Sequence, residues 1–134
     1  MLGDIAFMEV PEGLLESHPQ GTIRLASDQQ LTRLLGKKER ALTVLGFPAK
    51  TTQTNIEMRQ GSLSQPFEFD AEGRAVSVID YTGEVVEGFS GGPVLVRDWL
   101  HGFYVVGVVS GFDAINGSNH YAVPVSEIQK EASR

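Results

Sequence analysis

One serine in this chain sits where a serine can do chemistry. Ser90 lies between Gly88-Phe89 and Gly91-Gly92-Pro93, with valine- and leucine-rich runs on either side in VVEGFSGGPVLV, residues 85–96. A hydroxyl becomes an acyl-transfer nucleophile when it is held at a bend beside backbone N–H groups that face a carbonyl oxygen turning negative. Glycine, lacking Cβ, permits such a bend and lets a substrate approach the main chain, which suits Gly88 and Gly91 on either side of Ser90. The same string also reads as a tight hairpin turn between strands at 85–87 and 93–97. Its GxSxG pattern is shared with the strand-to-helix elbow of α/β hydrolases. Here the residues after Ser90 are Gly91, Gly92 and Pro93 followed by VLV, which oppose a helix and favour a strand, so the elbow is excluded.

Other chemistry-bearing residues are sparse. His18, His101 and His120 are the only histidines. Ser90 with His120 and Asp113 would make a self-contained triad, since geometry rather than chain order defines one. Otherwise each histidine is a surface or locally hydrogen-bonded side chain. Acids occur singly, without the spacing of a metal site, and the glycines at 88, 91 and 92 lack the lysine of a phosphate-cradling loop. No metal and no cofactor is expected. The absence of cysteine excludes a disulfide framework and a thiol nucleophile, and suits a reducing compartment.

The elements that must hold Ser90 are short. Apolar runs at 4–10, 41–47, 75–80, 93–97, 103–110 and 120–125 are bounded by Gly, Pro, Asn or Asp, which predicts an all-β protein. Asn116-Gly117 predicts a hairpin turn joining the last two strands; Asn116-Gly117-Ser118 is also a glycosylation sequon, for which the turn is the simpler account. Ser27 and Gln30 are spaced as a capping box ahead of Leu31, Leu34 and Leu35, predicting one short helix, and a second is expected from Ser126 onward. Phe7, Phe47, Phe103, Tyr104 and Tyr121 read as core aromatics, and Trp99 as a packed residue at a hairpin. With 134 residues, 41% hydrophobic and 21% charged, the chain can bury a core. A formal net charge of -6 with no basic block makes nucleic acid and anionic membranes poor partners, and neither a membrane-length apolar run nor an export signal is visible.

The fuller string GFSGGPV, then VVGVVSG at 105–111 and YAVPVSEI at 121–128, resembles the trypsin-like, chymotrypsin-fold serine peptidases, in particular the cysteine-free bacterial branch of HtrA-like and V8-like proteases. GDIAFMEV at 3–10 resembles that family's aspartate-bearing segment, and VLGFP at 44–48 the opening of its second barrel. The resemblance implies a chymotrypsin-like β-barrel comprising the second barrel and the last strand of the first. It divides the chain into a first-barrel remnant at 1–13, a connector with a short helix at 14–40, and the second barrel with its terminal helix at 41–134.

It further implies Ser90 as nucleophile, Asp4 as the residue orienting a histidine, and the amides of Gly88 and Ser90 as the oxyanion hole. Ser110, Gly111 and Phe112 would lie along the strand edge that pairs with a peptide substrate. Glu84 matches the floor of the specificity pocket, where it would favour Arg or Lys, and reads equally as a solvated loop acid. The family's histidine precedes its aspartate, whereas only Met1, Leu2 and Gly3 precede Asp4. The implied function is therefore the C-terminal half of a serine endopeptidase that is inactive alone. It would act on peptide or protein substrates and be completed by an N-terminal barrel or a fused regulatory domain. Phe89 stands where many animal members carry an aspartate that pairs with a newly cut N-terminus, so activation by that route is not expected. The alternative is a non-catalytic barrel that binds extended peptide at its 108–112 edge.

Overall fold

The computed structural model describes residues 24–46, 56–83, 89–99, 102–112 and 119–133. Among them the chain forms β1 (Arg24–Leu25), α1 (Asp28–Leu34), β2 (Ala41–Gly46), β3 (Glu57–Leu63), β4 (Ile79–Gly83), β5 (Pro93–Asp98), β6 (Gly102–Phe112), β7 (Asn119–Pro124) and α2 (Val125–Ala132). Strand order is β1-β6-β5-β2-β3-β4-β7, and β7 pairs back onto β6. Six antiparallel strands thus close a barrel, with β1 lying parallel to β6 at Arg24↔Tyr104 and Leu25↔Val105. This is a chymotrypsin-like barrel followed by a short C-terminal helix.

Closure follows from alternation. Leu42 and Val44 of β2, Ile79 and Tyr81 of β4, Val94 and Val96 of β5, and Tyr104 and Val106 of β6 point inward and are buried in one core. Burying each such side chain contributes roughly 1.5–3 kcal/mol. The eleven residues of β6 let one strand serve several neighbours: β5 from Gly102 to Val108, and β7 from Gly107 to Phe112. Irregularities at Val94/Leu95 and at Val109/Gly111 bend the ladders, as a small closed barrel requires.

Helix α1 starts as expected. The Ser27 hydroxyl accepts from the Gln30 N–H while the Gln30 side chain accepts from the Ser27 N–H. Leu31, Leu34 and Leu35 then join the barrel core. The helix is tied to the β5–β6 hairpin by Gln30 Nε2 donating to Tyr104 Oη at 3.1 Å and by Arg33 pairing with buried Asp98 at 3.1 Å.

Several expectations are corrected. The strand expected at 75–80 begins only at Ile79, because Val76, Ser77 and Val78 are exposed and full ladder pairing starts at Ile79↔Ala122. β3 is not recognisable from the sequence: EMRQGSL carries few apolar residues, with Glu57 and Arg59 on its half-buried face and Met58 exposed, yet it pairs along all of β2. Phe103 is 42% exposed and is not a core aromatic, whereas Tyr104 is buried; Trp99 does follow directly on β5, but at 87% exposed it is not packed. α2 begins at Val125 behind Pro124, and Ser126 is a buried residue of its first turn rather than its cap. β6 and β7 do pair as antiparallel neighbours, while the Asn116-Gly117 turn between them, the segment at 4–10, Phe7 and Phe47 lie outside the described residues.

Candidate active site

Ser90 stands at the corner where the chain enters β5, exposed, with Phe89 fully buried immediately before it. The two glycines that follow have different tasks. Gly91 adopts φ +86°, a left-handed conformation that L side chains rarely take. Gly92 is excluded from carrying a side chain by proximity: a Cβ there would lie 2.0 Å from the Leu45 carbonyl oxygen and 3.0 Å from that of Phe89. The corner is tied down by main-chain bonds. The Gly91 N–H donates to the Val109 carbonyl, the Gly92 N–H to the Phe89 carbonyl, and the Val109 N–H to the Gly92 carbonyl, each at 2.9 Å. The Gly91 and Gly92 donors are therefore committed inside the protein and cannot face a substrate oxygen.

The corner opens onto a groove of about 360 Å³ lined by Leu45, Gly46, Ile56, Ser90, Gly91, Gly92 and Pro93. Ile56 is 61% exposed and offers an apolar wall. Across the corner, the β5 ladder ends at Pro93↔Val108, while β6 continues beside β7 through Val109–Phe112. Ser110 is exposed at the irregularity in that ladder, flanked by Val109↔Ala122 and Gly111↔Tyr121. The edge expected at 108–112 is thus shorter at its start, because Val108 pairs on both sides and Val109 is bonded to the serine corner.

His120 does not act as Ser90's base in this arrangement. Its ring is buried, lies 5.4 Å from the Tyr81 ring, and holds the Gly83 carbonyl at 3.1 Å through Nε2. The His120 Nε2 that a self-contained triad would turn towards Ser90 is engaged between β4 and β7, and Asp113, its third member, lies outside the described residues. Asp4, Glu84, Gly88, His18 and His101 also lie outside them. No cluster of three His, Cys, Asp or Glu side chains able to hold a metal occurs among the described residues. No helix among them is long and apolar enough to cross a membrane.

Sequence reasoning missed one feature of the site, the seat beneath Ser90. A Cβ on Gly46 would fall 2.3 Å from Cδ1 of Phe89, and the Arg59 guanidinium lies over the Phe89 ring at 5.7 Å from its centroid. The glycine of VLGFP was visible, but nothing in the sequence joins it to Phe89, more than forty positions away.

The barrel and its exposed serine corner define a protein of the chymotrypsin-like fold. Among solved structures, the chain is similar to the active form of the M. tuberculosis protease Rv3671c, with a TM-score of 0.60, 20% identity, and coverage of 86% of this chain and 48% of that one. It is likewise similar to the inactive form of Rv3671c carrying a serine-to-alanine substitution, with a TM-score of 0.61, 19% identity, and coverage of 86% and 53%. The chain spans about half the length of these structures. No protein-family model matches the sequence, and no curated protein matches it significantly.

Proposed function

We propose that this chain is the C-terminal half of a trypsin-like serine endopeptidase domain of the HtrA-like and V8-like branch. The observation that carries the reading is the exposed Ser90 on a glycine corner, opening onto a groove, in a barrel of this fold. In the complete enzyme a histidine supplied from outside this chain, oriented by Asp4, takes the Ser90 proton as Oγ attacks the scissile carbonyl. The carbonyl π electrons move onto its oxygen, which the N–H groups of Gly88 and Ser90 stabilise. Collapse of this intermediate expels the amine, which takes its proton from the histidine, and water then hydrolyses the acyl-enzyme with release of Ser90. The commitment of the Gly91 and Gly92 amides to main-chain carbonyls supports assigning the oxyanion donors to Gly88 and Ser90.

A substrate strand aligns along Ser110, Gly111 and Phe112, with main-chain hydrogen bonds supplying affinity and a pocket reading one side chain. Glu84 at the pocket floor would favour Arg or Lys. The isolated chain is expected to be nearly inactive, for want of the histidine. A fluorophosphonate probe should label Ser90 in the full-length polypeptide. Absence of labelling there, or equal labelling after Ser90→Ala, removes the reading.

A second reading is a non-catalytic barrel that binds extended peptide along the end of β6. Such a module needs no base at Ser90, and the described histidine, His120, is engaged with Gly83 and Tyr81. A sequence upstream of Met1 without a histidine in a small-residue context would decide for this module.

A further inference from the structure

We propose that Phe89 is a positioning residue, whose ring sets the height and direction of the Ser90 corner by seating on the bare backbone of Gly46. The inference rests on the reading of Ser90 as nucleophile and adds what holds that nucleophile in place. Phe89 has no exposed surface, and it is the last residue before an exposed serine, so the chain passes from core to solvent within one peptide unit. The seat exists only because position 46 has no side chain: an added Cβ would meet Cδ1 at 2.3 Å, Cγ at 2.6 Å and the Phe89 Cα at 2.9 Å. The last of these is backbone, so rotating the ring does not relieve the contact.

The ring is closed in from another side by Arg59, which is itself ion-paired with Glu57. The Phe89 carbonyl accepts the Gly92 N–H and so closes the turn around Ser90. Ring, Gly46 and turn therefore form one rigid unit. An aromatic ring is suited to this task because it fills the space with only two rotatable bonds and little freedom to recoil. A shift of the seat moves Ser90 Oγ and the Ser90 N–H together, and misplacement of about 1 Å in such a site costs on the order of 10²-fold in rate.

The test uses Gly46→Ala, Phe89→Leu and the two combined. In the 134-residue chain, the amide resonances of Ser90, Gly91 and Gly92 should move in both single variants while those of α2 stay. In the full-length polypeptide, labelling of Ser90 by the fluorophosphonate probe, measured well below the unfolding transition, should slow by about 10²-fold in Gly46→Ala. The double variant should not recover that rate, because leucine keeps Cγ and Cδ1, the side-chain atoms the new methyl meets, and the Cα of residue 89 stays in its way. Single variants that lower the melting temperature yet label at the wild-type rate would overturn the proposal, as would amide resonances at the corner that do not move. Should Gly46→Ala fail to fold, Phe89→Leu, which only removes volume, decides alone. Wild-type protein that is not labelled at all would remove the protease reading, while the resonances would still decide the seat.

Discussion

Gly91 and Gly92 are adjacent and look interchangeable, but the structure predicts that they fail for different reasons and by different amounts. At Gly92 an alanine Cβ would lie 2.0 Å from the Leu45 carbonyl oxygen, well over an ångström short of ordinary contact at 3.4 Å, and the obstructing atom is β2 backbone. The barrel must part locally between β2 and the serine corner, as a severe case of overpacking, for which about 3 kcal/mol is expected. At Gly91 a Cβ meets nothing within 4 Å, and the penalty is only that of φ +86°, about 1–2 kcal/mol. Gly91→Asn should therefore lose less than Gly91→Ala, because asparagine tolerates the left-handed region, whereas Gly92→Asn should fare no better than Gly92→Ala. Thermal unfolding of the four variants measures this. Gly92→Ala should fall by about 10 °C and Gly91→Ala by about half as much. Equal losses at the two positions, or a rescue by asparagine at 92 rather than 91, would refute the assignment of strain to one and close approach to the other.

Two further outcomes follow from the core and the helix cap. Burial pushes the Tyr81 phenol above its ordinary pKa, and its Oη has no hydrogen-bond partner among the described residues. A group raised in this way holds its proton longer in the folded than in the unfolded chain. Its contribution is thus intact below about pH 10 and is lost as pH rises from there towards the folded-state value. Tyr81→Phe should flatten that alkaline decline, and at neutral pH it should leave stability unchanged or raise it by up to about 1 kcal/mol, measured by denaturant titration at several pH values. Ser27→Ala removes the capping-box acceptor of α1 and should cost about 1 kcal/mol in the same titration, whereas Ser27→Asp should retain most of the stability.

Much of the barrel was legible because its strands carry short apolar runs bounded by turn residues. β2, β5, β6 and β7 could be read from runs of Val, Leu and Tyr, and α1 from Ser27 and Gln30, since these signals are local and depend on side-chain period and capping. β3 was not legible. Its Glu57, Arg59 and Gln60 are polar because the barrel leaves much of that strand half-buried or exposed, and its strand character comes from pairing with β2 and β4. Trp99 and Phe103 were misread for the converse reason. Apolar type alone does not state which side of a hairpin faces water.

The serine corner divides in the same way. Composition and order determined that residues 88–93 must turn, that no helix follows Ser90, and that the one hydroxyl in the turn is flanked by glycine. Only the tertiary structure decided why each glycine is there: Gly91 for its backbone angle, Gly92 for the β2 carbonyl behind it, and Gly46 for the ring of Phe89. The physical reason is that a turn is a property of consecutive residues. A close approach belongs to two strands that meet only when the barrel shuts, and no local pattern records which backbone will arrive.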